Sequence, residues 1–419
     1  MQASDGRPTE LSDDEVVGGP RFVFYSHDGF GLGHFRRNLV LALALADLCP
    51  EASVLLACGA DGLDTFSVPN GVDLLRLPGL RKLDNGRYAG RRLSLEAADL
   101  VALRAGLLAS AVRYFRPHVL LADKHPVGVD EELLPALRLL QRQGGRAALG
   151  LRDVLDDPPR AVDEWRRTGL SGRIAEFHDL ILVYGSRDML DPIAPGLLPP
   201  GTEGRVRFCG YVVSRASPSR SAPLDLPRDH GRPLVLASVG GGEDGLPLLD
   251  AFVEASRGAA WQGAIVAGPQ METARWAELE ARAAQANVLA YHSVHQVQRW
   301  FPHANALVCM GGYNSLLEAV SSGTPTICVP RTQPRAEQLI RARAFAASGL
   351  LQVVEPESLT GRRLALAVAK ALSTPRPVMA ARARAALDLG GSRRAAVHLL
   401  DLATKAPTAS GHPLEVAAR

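Results

Sequence analysis

The chain has neither a CxxC pair nor an HExxH stretch, so the common frameworks for a structural or hydrolytic zinc are missing. His292 and His295 have HxxH spacing but no third ligand close in sequence, and no metal is expected there. No GxxxxGK[ST] loop occurs, which removes a P-loop kinase or ATPase. Cysteine is scarce. The five residues, Cys49, Cys58, Cys209, Cys309 and Cys328, are odd in number and sit mostly in apolar runs, which reads as reduced core rather than a disulfide framework. Basic stripes interleaved with aromatics are absent and the formal charge is only +3 over 419 residues, so nucleic acid is not an expected partner. The richest apolar stretches, 39–48 and 101–112, are short or broken by charge and do not reach the ~18 residues of a membrane span. The first twenty residues are polar and acidic and lack the basic start and apolar run of a secretion signal. A cytoplasmic location is expected, with peripheral membrane contact and oligomeric state left open.

What is present is ordinary for a soluble enzyme with large cores: 47% hydrophobic and 22% charged residues, at a length that predicts two or three domains. Short apolar runs at 21–26, 52–58, 72–77, 118–122, 147–151 and 180–183 read as strands, with helical patterns at 35–48, 96–115 and 130–143 between them. A Pro, Ser and Arg-rich stretch at 214–233 reads as a linker. A second series follows, with strands expected at 234–239, 263–267, 287–290, 306–309 and 326–329 and a helical tail over 357–405. This predicts an α/β protein of two doubly wound halves, 21–213 and 234–405, facing a cleft between flexible tails at 1–20 and 406–419.

The stretch VCMGGYNSLLEAVSSGTPTICVPR, 308–331, joins a strand to a paired-glycine turn, a helix opening on Asn and Ser, and a second strand. Backbone N–H groups from Gly311 and Gly312 through Asn314 and Ser315 would favour an anion such as a diphosphate. Glu318, one turn on, suits ribose hydroxyls, which points to a nucleotide-linked ligand. At 26–38, SHDGFGLGHFRRN, the glycines 29, 31 and 33 allow a sharp turn that sets His34 at a helix start. An imidazole there suits a proton-abstracting base, and a capping or packing histidine fits the same spacing. These glycines run GxGxG with His next, so the dinucleotide fingerprint GxGxxG is not met.

Gly240, Gly241 and Gly242 allow close approach of an anion, or simply a tight turn, although Glu243 and Asp244 would oppose a diphosphate unless they point away. Gln338 suits sugar hydroxyls. Arg331 and Arg335 suit phosphate or carboxylate, whereas Arg335, Arg341 and Arg343 together fit a solvated helix face. Asp123 and Lys124 end a strand, where a catalytic or acceptor role and a surface ion pair both fit, and Arg152 and Asp153 hold a like place. The basic stretch 81–92 reads as a solvated loop, with a mobile lid or acceptor loop as the alternative.

GxGHxxR at 31–37, GGG at 240–242, and GGYNSLLEAVSSGTPTICVPR followed by EQLIRA resemble the B-type glycosyltransferases, nearest to the bacterial group related to the peptidoglycan N-acetylglucosaminyltransferase MurG. DKHPVG at 123–128, GLRDVLDDP at 150–158 and LVYGSRD at 182–188 extend the likeness. The resemblance implies that both halves are Rossmann-like, with a donor site in the second half, an acceptor site in the first, and inversion without an essential metal or cofactor. On that pattern Gly311, Gly312, Asn314 and Ser315 line a diphosphate, Glu318 holds ribose, Gln338 touches the sugar, and His34 is a base or phosphate contact. Gly31, Gly33, Lys124 and Arg335 are the acceptor or phosphate candidates. The expected donor is a UDP-sugar and the acceptor a hydroxyl of unknown identity. Two departures from the pattern stand out: GHFRRN lacks the proline that follows the histidine in MurG, and Glu337–Gln338 replaces the usual Gln pair. GxGHxxR also occurs in nucleotide-sugar hydrolases, so hydrolysis, epimerisation on the same plan, and a non-catalytic nucleotide-binding or scaffold subunit stay as alternatives.

Overall fold

The computed structural model describes residues 18–27, 32–63, 66–82, 88–193, 196–213, 226, 231–242 and 244–406. Gly29, Gly31, Glu243, most of the expected linker and nearly all of both expected tails lie outside the described residues.

The first half is built on strands β1 (Arg21–Ser26), β2 (Ser53–Cys58), β3 (Val72–Arg76), β6 (Val119–Asp123), β7 (Arg146–Arg152), β8 (Leu180–Tyr184) and β9 (Val206–Phe208), with a small hairpin β4 (Leu80–Lys82) and β5 (Tyr88–Gly90) set apart. The second half has β10 (Leu234–Ser238), β11 (Gln262–Val266), β12 (Leu289–Tyr291), β13 (Ala306–Cys309), β14 (Thr326–Cys328) and β15 (Gln352–Val353). Both sheets are wholly parallel, in the orders β3-β2-β1-β6-β7-β8-β9 and β12-β11-β10-β13-β14-β15. The continuous apolar runs of β1 and β10 have this origin, because strands covered by helices on both faces have no solvent side. Each order reverses at one point, between β1 and β6 and between β10 and β13, and a crevice opens there at the strand carboxyl ends.

The helices are α1 (Gly33–Leu48), α2 (Ala97–Phe115), α3 (Leu134–Arg142), α4 (Pro158–Arg167), α5 (Leu170–Phe177), α6 (Leu246–Ser256), α7 (Thr273–Gln285), α8 (Tyr313–Ser321), α9 (Glu337–Ala347), α10 (Gly361–Leu372), α11 (Arg376–Ala386) and α12 (Gly391–Ala403). The expected helical tail is therefore three helices. The last of them corrects the division of the chain: α12, expected in the second half, packs on α1 and on β6, β7 and β8 of the first. Small residues on its buried face, Gly391, Ser392, Ala395 and Ala396, permit that approach, and a Cβ on Gly391 would lie 2.4 Å from the Gly210 carbonyl oxygen. All five cysteines are buried and none is in a disulfide. Among the described residues no helix is long and apolar enough to cross a membrane.

Candidate functional site

Both switch points carry residues singled out by sequence. His34 follows β1, Asp123 ends β6 with Lys124 next, Gly240 follows β10 and Gly311 follows β13. Helices α1 and α8 each begin without a side-chain cap, so their first N–H groups have no acceptor within the helix. The two starts are tied together: the Asn314 amide donates to the Gly33 carbonyl at 2.9 Å. A pair of positive helix ends from opposite halves thus meets in one place, which favours an anion more than either does alone.

The glycines divide by what surrounds them. Gly311 has φ +85 and a Cβ there would lie 2.8 Å from the Cys328 sulfur, so backbone shape and packing both require it. Gly312 has ordinary backbone angles and nothing within 4 Å of a would-be Cβ; the space beside it is open. Gly242 has φ +99 and would place a Cβ 2.4 Å from the Ala267 carbonyl, while Gly268 would approach the Gly240 carbonyl at 2.2 Å. Part of the triple glycine therefore serves the packing of two loops, and Gly240 alone of the three faces open space. Asp244 turns to Arg331 at 2.8 Å, which answers the charge conflict expected of it.

Glu318 lies one turn into α8. One carboxylate oxygen accepts from Arg36 of α1, and the other, Oε2, is buried without a partner. Burial raises the Glu318 carboxyl above its ordinary value and Arg36 pulls it back. Gln338 is buried and its side-chain oxygen already accepts from the Arg331 backbone N–H at 3.1 Å, which leaves its amide hydrogens for a ligand. Glu337 beside it is held by Arg152; against the effect of burial, Arg152 and Lys124 keep it ionised, down to about 2.

Asp123 does not face the cleft. It is fully buried and saturated by Arg37, with Nε to Oδ2 at 3.1 Å and Nη2 to Oδ1 at 2.8 Å. Burial alone would raise its carboxyl, but Arg37 and His34 hold it well below the usual range. The catalytic part expected of Asp123 gives way to an anchoring one, because an ion pair closed on both oxygens has no lone pair aimed at a substrate. Arg37 also reaches His34 Nδ1 with Nη2 at 3.0 Å, closer than the 3.4 Å from Asp123 to the same nitrogen. Arginine has only hydrogens to give, so toward Arg37 this nitrogen accepts, whereas toward Asp123 it donates, and the two contacts call for opposite tautomers of the ring.

Arg335 is engaged across the halves with Glu164 at 2.8 Å and Asp156 at 3.6 Å, so it is not part of a solvated face. Arg341 is the larger correction: it is wholly buried and clasps Asp153 through Nε at 2.9 Å and Nη2 at 2.7 Å, while its third nitrogen donates to the Gly311 carbonyl at 3.2 Å. Arg343, two residues on, is exposed as expected. Tyr313 completes the join, donating to the Tyr184 carbonyl at 2.9 Å and accepting from the Val212 N–H at 3.1 Å. Lys124 adopts φ +70, and burial followed by Arg152 lowers its ammonium to about 8.

Sequence reasoning missed two further histidines. The rings of His27 and His125 lie 4.2 Å apart and that of His34 lies 5.2 Å from His27. Burial, with the neighbouring cations, pushes both His27 and His125 well below the ordinary value and keeps them neutral. Their position at the ends of β1 and β6 was the available signal. Among the described residues no group of three His, Cys, Asp or Glu is placed to hold a metal.

Residues 265–398 match the glycosyltransferase family 28 C-terminal domain. Two curated relatives match in part. The NDP-glycosyltransferase YjiC of Bacillus licheniformis is 28% identical over 148 residues, 35% of each chain. The UDP-N-acetylglucosamine–N-acetylmuramyl-(pentapeptide) pyrophosphoryl-undecaprenol N-acetylglucosamine transferase of Corynebacterium efficiens is 30% identical over 82 residues, 20% of this chain and 23% of that one. The chain thus spans about a third or less of the curated relatives it matches. The solved structure of the glycotransferase of kitacinnamycin superposes with a TM-score of 0.61 at 19% identity, covering 92% of this chain and 99% of that one, and shares its two-sheet fold.

Proposed function

We propose that this chain, which carries a family 28 C-terminal domain on the two-sheet fold of the B-type glycosyltransferases, moves a sugar from a nucleoside diphosphate to a hydroxyl acceptor with inversion. UDP is the expected nucleotide, in keeping with the UDP-sugar named for the Corynebacterium relative. The observation that carries the reading is Glu318, a buried carboxylate with one oxygen unpartnered, one turn beyond the place where two uncapped helix starts meet. A ribose hydroxyl satisfies that oxygen while the diphosphate lies against the free N–H groups of α8 and α1.

In such a site the leaving diphosphate gains charge as the sugar–oxygen bond breaks. Fixed N–H donors stabilise that charge without reorganising, which lowers the barrier to in-line attack by the acceptor hydroxyl, whose proton passes to solvent water as its oxygen bonds to the anomeric carbon. His34, with its proton on Nε2, adds a donor to the same anion rather than acting as the base. Gln338 offers its amide hydrogens to the sugar, and the first half, with Lys124 and Gly33 at its crevice, receives the acceptor.

Gly312 provides a test separable from folding. Because the space beside it is open and its angles suit any residue, Gly312→Val keeps its stability within about 1 kcal/mol in thermal melts. Its side chain would occupy the diphosphate position, so affinity for UDP by calorimetry drops at least about tenfold, which is roughly 1.4 kcal/mol. Full UDP affinity in a folded Gly312→Val protein would remove the diphosphate from this turn.

A further inference from the structure

We infer that Arg36 is a positioning residue for nucleoside recognition, holding the Glu318 carboxylate of the opposite half ionised and turned so that ribose is bound only when the two halves are together. The inference rests on the proposed donor site. It begins from a division of labour within one carboxylate: Oε1 accepts from Arg36, while Oε2 is buried with nothing to accept from. A buried carboxylate oxygen left in that state asks for a donor that the protein does not supply. The Glu318 side chain is 11% exposed and that of Arg36 22%, so water screens the pair only in part.

Arg36 belongs to α1, whose start is tied to α8 by the Asn314 contact, so helix and guanidinium approach Glu318 as one unit. Other charged groups on elements packed against α8 are committed elsewhere or act weakly on this carboxyl. Arg37 pairs with Asp123, Arg376 donates to the Ala304 and Ser322 carbonyls, and Arg382 donates to the Gly349 carbonyl. His34, Arg299, His303 and Arg384 are not among the groups that move the Glu318 carboxyl, whereas Arg36 is. Burial raises that carboxyl and Arg36 opposes the rise, so loss of Arg36 shifts its protonation to higher pH. The protonated form then accumulates as pH falls, and with it the acceptor for two ribose hydroxyls is lost.

Calorimetry of the full chain with UDP and with 2′,3′-dideoxyuridine 5′-diphosphate separates ribose from phosphate. Arg36→Leu is expected to bind UDP about tenfold more weakly than wild type at pH 7.5, with a deficit that widens toward pH 5.5, as befits a lost charged hydrogen bond. Arg36→Lys recovers most of the affinity, and the dideoxy nucleotide binds wild type and Arg36→Leu alike within about twofold. An equal loss for both nucleotides would move Arg36 to the diphosphate and overturn the inference, as would an unchanged UDP affinity in a variant whose melting shows it folded. Glu318→Gln separates the two levels of argument: weakened UDP binding there with intact binding in Arg36→Leu defeats the Arg36 role alone. A wild-type protein that binds no nucleoside diphosphate, or a Glu318→Gln variant that binds its nucleotide fully, defeats the donor reading and the inference with it.

Discussion

Asp153→Ala lowers the unfolding free energy by about 3–5 kcal/mol, because it strands a guanidinium in the seam between the two halves. Asp153 and Arg341 are each 0% exposed, and the aspartate supplies both acceptors for Nε and Nη2 of the arginine. With the carboxylate gone, Arg341 keeps the Gly311 carbonyl at 3.2 Å, the face of the Tyr313 ring, 5.4 Å away, and the charge of Glu337, which is already paired with Arg152. Those contacts do not offset the desolvation of a full charge. Urea unfolding of Asp153→Ala beside a variant in which both partners are apolar of similar volume isolates the cause. The double replacement is expected to be near neutral, since it removes the charge together with its partner. A single variant within about 1 kcal/mol of wild type would mean that water reaches the seam and that the pair does not clamp it.

His34 decides between two chemistries at one position. With Nδ1 donating to Asp123, Nε2 is free to act as a base; with Nδ1 accepting from the nearer Arg37, at 3.0 Å, Nε2 bears the proton and the ring is, as proposed, a donor to an anion. His34→Ala is then expected to weaken UDP binding by about tenfold or more, and to lower the rate of donor cleavage by about 10²–10³-fold, as loss of a donor to a developing anion does. Glutamine can place an amide hydrogen where Nε2–H stood, so His34→Gln should recover much of both. A base at His34 predicts the opposite pattern, with UDP affinity untouched in both variants and both equally slow. The comparison needs no acceptor, since affinity alone separates the two outcomes.

How far sequence reached can be seen at particular residues. The apolar strands 21–26 and 306–309 were read to the residue, because a parallel strand buried on both faces is a continuous hydrophobic run closed by glycine. From alternation of strands and helices, the doubly wound halves and the place of His34, Gly240 and Gly311 after strand ends followed, whereas the strand orders that set the switch points did not. Two-residue β15 and three-residue β9 were not legible, being too short to carry a pattern. The hairpin β4–β5 was hidden within a stretch read as a basic loop.

The seam was hidden for a different reason. Asp153 and Arg341 are 188 residues apart, and Arg36 and Glu318 are 282 apart, distances at which no local periodicity links partners. One local clue existed. Arg341 shares a buried stripe with Glu337, Gln338, Ala342 and Phe345, and an arginine on such a stripe needs a buried acid. Reading it with Arg343 as one solvated face overlooked that helical phase. The same distance effect displaced α12, whose small-residue face is visible in sequence but whose partner half is not.

The proposed donor site is built on Glu318 and the two helix starts, so nucleotide binding tests it most directly. In calorimetric titrations of UDP and other nucleoside diphosphates, wild-type protein is expected to bind one of them at one site per chain. Glu318→Ala, which removes the carboxylate that accepts the ribose hydroxyls, is expected to weaken that binding about tenfold or more. Absence of binding to any nucleoside diphosphate, or the same affinity in Glu318→Ala as in wild type, would contradict it.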